Sequence, residues 1–108
     1  MQKQVTRVTR PQVVILGEIA YNVQDVLTLA KNAGAAGVNP ADLEIGEESG
    51  RVVPSLPNHD VSEPIYTQRS GKLVVLLGHQ KVAQAKELER SEIKGRFLST
   101  FNLKKAKA

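Results

Sequence analysis

Four consecutive residues have the types and the order that phosphate binding needs: Gly78, His79, Gln80 and Lys81. An apolar run before them predicts a buried strand over residues 73–77, and the helix formers after the glycine predict a helix over residues 79–88. A helix that follows a strand directly begins with unpaired backbone N–H groups, which attract an anion together with the helix dipole. The glycine permits close approach, and the lysine lies in the first turn. We therefore predict a phosphate site here. The alternative is a structural turn without a ligand.

Two side chains near this turn can transfer protons. His79 has the chemistry of a general acid or base, and the carboxylate of Glu63 can act as a base or hold a metal. The alternatives are that His79 only caps the helix and that Glu63 is an exposed residue at the start of a strand. The sequence does not identify a cofactor. The candidate for a phosphate site of this kind is a nucleoside triphosphate with magnesium.

Cysteine is absent and there are two histidines, so thiolate catalysis, disulfides and Cys-based zinc sites are excluded. Four acidic residues lie between Asp42 and Glu48, and we interpret them as solvated side chains rather than as a magnesium site. No protein metal site is therefore predicted.

The first half of the chain predicts one strand and one helix that would position the site. Val13–Leu16 is a short apolar run rich in β-branched residues, which is typical of a buried strand that ends at Gly17. Asn22 is a good N-cap for a helix from Val23, because its side chain can accept hydrogen bonds from the first turn. Apolar residues then recur at helical spacing, and Gly34 marks the exit.

Residues 33–58 contain many glycines and prolines and predict loops. Within them, residues 42–45 and 51–53 predict two short strands, with residues 47–50 as the turn between them.

The second half predicts the remaining elements. Residues 64–68 and 73–77 have the spacing of a hairpin, with residues 69–72 as its turn. After the helix, residues 93–98 predict another strand. Residues 102–108 are basic and predict a mobile tail.

Positive charge concentrates at the two ends of the chain. Residues 1–10 carry +3, residues 11–68 carry −6, and residues 69–108 carry +7. Lysines and arginines gain by displacing counterions from phosphates, so the basic ends indicate a polyanion partner. The residues assigned to nucleic acid are Arg69, Lys72, Lys104, Lys105 and Lys107. The alternatives are that the charge serves solubility, or that the protein coats DNA without sequence preference.

The composition indicates one domain and excludes several classes of protein. At 108 residues the chain is long enough for a single core. That core is aliphatic, with only two Tyr, two Phe and no Trp, which argues against a platform that stacks bases on several aromatics. No membrane span or secretory signal is evident, so we expect a cytoplasmic protein. We divide the chain into a basic segment (1–10), an α+β domain (11–101) and a basic tail (102–108).

Three stretches together carry a family resemblance: Glu63-Pro64-Ile65-Tyr66, then Gly71-Lys72-Leu73-Val74-Val75-Leu76-Leu77-Gly78-His79-Gln80-Lys81 running on to Ala85-Lys86-Glu87-Leu88, and then Glu92-Ile93-Lys94-Gly95-Arg96-Phe97-Leu98. Residues 63–99 resemble the N-terminal domain of the ParB and sulfiredoxin superfamily. That domain has a Pro-Ile strand, a hairpin, a strand ending in Gly-x-x-Arg, a helix with Ala-x-x-Leu and an edge strand entered through an acidic residue and Ile.

The resemblance implies a small mixed β-sheet with two to three helices. It also implies that the Gly-x-x-Arg turn binds nucleotide phosphates or approaches DNA. Here Gly78 would be the turn glycine, and Lys81 stands at the arginine position without arginine's bidentate fork. The cysteine of the sulfiredoxin reaction is absent, and no helix-turn-helix follows.

Two functions follow as expectations. The first is a ParB-like domain of a phage or plasmid that binds DNA or nucleotide, with nuclease or nucleotide-hydrolysing activity. The second is a non-catalytic protein on the same fold that binds a host target, with the acidic region of residues 42–63 as its surface.

Overall fold

The computed structural model describes residues 12–53 and 61–108, which form an α+β fold. The predicted N-terminal basic segment, residues 1–10, lies outside the described residues. The strands are β1 Val13–Leu16, β2 Ile19–Asn22, β3 Ala36–Val38, β4 Leu43–Glu44, β5 Arg51–Val53, β6 Ile65–Arg69, β7 Lys72–Leu77 and β8 Ile93–Leu98. The α-helices are α1 Val23–Ala33, α2 His79–Glu87 and α3 Thr100–Leu103, and short 3-10 helices cover Pro40–Asp42 and Lys104–Ala106.

The strands form two sheets. The larger has the order β3-β8-β6-β7-β4 and is mixed, because β4 with β7 and β6 with β8 are parallel while the other pairs are antiparallel. This confirms the predicted small mixed sheet. The smaller sheet, β2-β1-β5, is antiparallel and was not predicted as a separate layer.

Alternation along β7 divides the core between the two faces of the larger sheet. Val74 and Leu76 belong to a cluster with β1, α1 and α3, whereas Val75 belongs to a cluster with Val82 of α2. Neighbouring residues of a strand point to opposite faces, so the sheet is covered on one face by α1 and α3 and on the other by α2.

Local signals in the sequence explain the elements that were predicted correctly. The Asn22 side chain accepts hydrogen bonds from the backbone N–H groups of Gln24 at 3.0 Å and Asp25 at 3.3 Å, which caps α1 as predicted. The hairpin of β6 and β7 turns at Ser70 and Gly71, which both have positive φ, as a tight two-residue hairpin turn requires. Strand β8 is also confirmed.

The region predicted as loops is more ordered than its composition indicates. Strand β3 pairs with β8, and β4 pairs with β7 rather than with β5, which pairs with β1. Residues 47–50 therefore connect two sheets instead of turning a hairpin. A hydrogen bond of 2.7 Å from the N–H of Gly50 to the carbonyl of Val75 holds this connection against β7.

The C-terminal segment differs most from its prediction. Ser99 caps α3 by accepting a hydrogen bond from the N–H of Asn102 at 3.1 Å. Leu103 and Ala106 are buried in the core, and the N–H of Ala108 donates to the carbonyl of Ala20 in β2. The prediction of a mobile tail is wrong, because two apolar side chains among the lysines anchor it.

Candidate functional site

The predicted passage from strand through glycine to helix is present. β7 ends at Leu77, Gly78 has left-handed backbone angles (φ 89°, ψ 27°), and α2 begins at His79. Within the described part of the chain, no side chain caps α2, and its first turn contains no acidic residue. Among the described residues, the phosphate prediction therefore meets no capping side chain and no first-turn carboxylate at this helix end.

Gly78 has a packing role that the sequence did not reveal. A Cβ at this position would lie 2.8 Å from the Cα of Pro64 and 2.9 Å from Cγ2 of Val61. The space beside the glycine is therefore filled by the segment that enters β6. The requirement for glycine is explained by this contact and by the positive φ, without any ligand. The assignment of phosphate to residues 78–81 stays a prediction.

His79 forms a polar contact with the loop before β5. Its Nε2 lies 3.1 Å from Oγ of Ser49, and that hydroxyl donates to the carbonyl of Gly46 at 2.6 Å. With the serine proton directed at Gly46, the imidazole completes this contact by donating from Nε2, which requires the tautomer protonated at Nε2 or the charged ring. A serine so engaged is not an activated nucleophile. The contact instead fixes the loop to the start of α2.

Ser49 was missed by the sequence analysis. It is only 8% exposed, although it lies in a turn whose composition predicts solvated side chains. No signal in the local sequence connects it with a histidine thirty residues away.

Burial lowers the pKa of His79, and a backbone hydrogen bond at Gly50 opposes this with a smaller upward effect. Since the pKa in the folded protein is below that of the unfolded chain, the unfolded state binds the proton more strongly. The histidine's contribution to stability is therefore complete above the unfolded pKa of about 6.5 and is lost as the pH falls through the lowered value.

We expect His79→Gln to lose less stability than the native chain when the pH is lowered from neutral to acidic values. Glutamine has an amide donor for Ser49 but does not titrate. Urea unfolding at several pH values measures the effect. Contributions of carboxylates cancel when the two chains are compared. Parallel pH profiles would contradict the lowered pKa.

Glu63 belongs to a separate polar cluster. Its Oε1 accepts a hydrogen bond from Nε of Arg96 at 3.2 Å, and the same guanidinium donates to the carbonyl of Ala30 at 3.1 Å near the end of α1. The carboxylate thus orients an arginine that satisfies a terminal carbonyl of the helix. Across the ranges 12–53 and 61–108, Glu63 and His79 share no hydrogen bond. Their joint catalytic assignment gains no support and stays a prediction.

The five basic residues assigned to nucleic acid have different surroundings. The guanidinium of Arg69 packs on Gly17 at the turn between β1 and β2. Lys72 forms an exposed ion pair of 3.3 Å with Glu48. The remaining three residues are exposed lysines of the C-terminal segment: Lys104, Lys105 and Lys107.

Phe101 lies in the same segment, next to Lys105, and was not predicted as a site residue. Its side chain is 70% exposed, and Nζ of Lys105 lies 5.4 Å from the centre of its ring. The sequence signal that could have identified Phe101 is Ser99, a good N-cap that predicts a helix from residue 100. On such a helix, Leu103 and Phe101 lie on opposite sides, so that one is buried when the other is exposed.

Comparison with models of protein families, with curated proteins and with solved structures gave no match. The resemblance to the ParB and sulfiredoxin superfamily therefore stays a prediction. Among the residues that the structure describes, no three His, Asp or Glu side chains gather as a metal site would require. None of the described helices is long and apolar enough to cross a membrane.

Proposed function

We propose that this protein binds nucleic acid through the exposed side of its C-terminal segment, defined as residues 99–108. The observation that carries the proposal is the anchoring of this segment. Leu103 is 2% exposed and Ala106 is 0% exposed, so the backbone between and around them is held against the core. The three lysines of the segment are exposed and extend from a fixed backbone.

The charge of the segment supports a phosphate-bearing partner. It carries three lysines and no acidic residue. Lysines that neutralise phosphates release condensed counterions, and this sequence-independent term supplies most non-specific binding to nucleic acid. A cytoplasmic location is part of the same proposal, because it gives the protein access to nucleic acid.

The experiment is a fluorescence anisotropy titration of labelled oligonucleotides at roughly 50 and 200 mM salt. We expect the triple variant Lys104→Ala, Lys105→Ala, Lys107→Ala to bind roughly tenfold more weakly or worse at the lower salt. The slope of log affinity against log salt should fall by about 2–3, since each lost phosphate contact removes somewhat less than one.

The matched control removes three lysines from elsewhere: Lys31→Ala, Lys86→Ala, Lys94→Ala. This control variant has the same net charge as the first triple variant, but it should bind nucleic acid nearly as tightly as the native chain does. Equal weakening of both triple variants would show that only net charge matters, which would contradict a site on the segment. A native chain that binds no oligonucleotide would reject the proposal and favour the host-protein alternative.

A nucleotide bound at the start of α2 is a second candidate, favoured by the absence of a side-chain cap and of first-turn acids on that helix within the described residues. Titration of a nucleoside triphosphate with magnesium tests it, since a ligand of the native state must raise the midpoint of thermal unfolding. Lys81→Ala should reduce that rise, whereas Lys86→Ala in the last turn of α2 should not. No bond-breaking step is proposed, because His79 and Glu63 each have a structural partner.

A further inference from the structure

Phe101 is the most exposed large apolar side chain in the described residues, at 70%. Around it the segment contains polar side chains, two buried anchors and three exposed lysines. The other aromatic residues are less exposed: Tyr21 and Tyr66 are 8% and 7% exposed, and Phe97 is 41% exposed, with its ring packed on Tyr66 at 5.6 Å between centroids. Phe101 is therefore the most exposed aromatic ring in the described residues.

The arrangement of the segment holds this ring beside an ammonium group. Phe101 and Lys105 are four residues apart on consecutive helical turns, which places them on the same side. Nζ of Lys105 lies 5.4 Å from the ring centre, within the range of a cation–π contact. Leu103, which lies between them in sequence, points into the core.

We propose that Phe101 stacks on an unpaired base while the adjacent lysines contact the flanking phosphates, so that the segment prefers single-stranded nucleic acid. This inference rests on the nucleic-acid binding proposed above and specifies its substrate class. In a duplex the base faces are already stacked on each other, whereas in a single strand they are available to an aromatic side chain. One ring provides one stacking contact, which agrees with a composition too poor in aromatics for an extended platform.

Charge complementarity selects this partner. An apolar protein surface would match the phenylalanine but not three lysines, and no acidic residue follows Glu92 in the sequence. A single strand offers both a flat apolar face and flanking negative charges at every nucleotide. An anionic bilayer offers negative charge and an apolar interior but no flat face for stacking. The experiment therefore distinguishes binding to such a bilayer from binding to a single strand.

The test compares the native chain with Phe101→Ala, Phe101→Leu and Phe101→Trp on an oligothymidine and on a duplex of mixed sequence. We expect the native chain to prefer the single strand. Phe101→Ala should weaken single-strand binding roughly 5- to 150-fold, the loss expected for one stacked base, and should change duplex binding less than about twofold. Phe101→Leu should resemble the alanine variant because it is apolar without a π-face, whereas Phe101→Trp should bind at least as well as the native chain.

Phe101→Trp also provides a direct readout, because the chain contains no other tryptophan. Its fluorescence should be quenched when the oligothymidine is added and much less when the duplex is added. If the native chain binds nucleic acid but Phe101→Ala leaves single-strand affinity unchanged, the stacking inference is wrong and the proposed function stands. If the native chain binds neither oligonucleotide, both are wrong. Binding to vesicles of phosphatidylcholine and phosphatidylserine without binding to the oligothymidine would also overturn the inference.

Discussion

Replacing Gly78 with alanine is expected to lower the free energy of unfolding by roughly 2–5 kcal/mol. Two effects add. The backbone of Gly78 has a φ of 89°, where an L-residue is strained by about 1–2 kcal/mol. The new methyl group would also stand 2.8 Å from the Cα of Pro64, and overpacking of this kind costs about 1–3 kcal/mol. Because the contact is with backbone, it cannot be relieved by a change of side-chain rotamer.

Urea unfolding of the two chains measures the loss as a shift of the midpoint at constant slope. Gly71→Ala is the matched control, because Gly71 also has a positive φ of 77° but a Cβ there would meet none of the described residues within 4 Å. It should show the backbone strain alone, about 1–2 kcal/mol. Equal losses in the two variants would mean that the packing of Val61 and Pro64 on Gly78 contributes nothing.

Replacing Leu103 with alanine is expected to cost roughly 2–5 kcal/mol, the range for deleting a large apolar side chain from a core. Leu103 is 2% exposed and belongs to the same cluster as Val14, Val26 and Leu76. A leucine on a mobile tail would have no such effect. The variant therefore tests directly whether the C-terminal segment is part of the folded domain.

Phe101→Ala is the control for this variant, because it removes an apolar side chain of similar size two residues away. With Phe101 70% exposed, its loss should change stability by no more than about 0.5 kcal/mol. Similar small effects of both substitutions would contradict the docked segment. Such a result would also contradict the anchored backbone from which the three lysines extend, and the proposed function rests on that backbone.

Where signals are local, the sequence by itself determined the structure. The run of β-branched and leucine residues in β7, the glycine after it and the helix formers of α2 specify strand, turn and helix within sixteen consecutive residues. Asn22 specifies the start of α1 in the same way, because its side chain bonds to backbone groups two and three residues away. In such cases propensity, capping and packing agree, so neighbouring residues suffice.

Only the tertiary structure decided what depends on residues distant in sequence. Strand β3 is short and exposed, and it forms because β8 pairs with it. Residues 47–50 join two sheets because the strand before them, β4, pairs with β7, whereas the strand after them, β5, pairs with β1. Ser49 meets His79, and Glu63 meets Arg96, across about thirty residues of chain. The C-terminal segment has the composition of a solvated tail, yet Leu103 and Ala106 fall where the core has room for them. Burial is a property of the whole fold, which explains why the local charge pattern predicted mobility and the packing produced order.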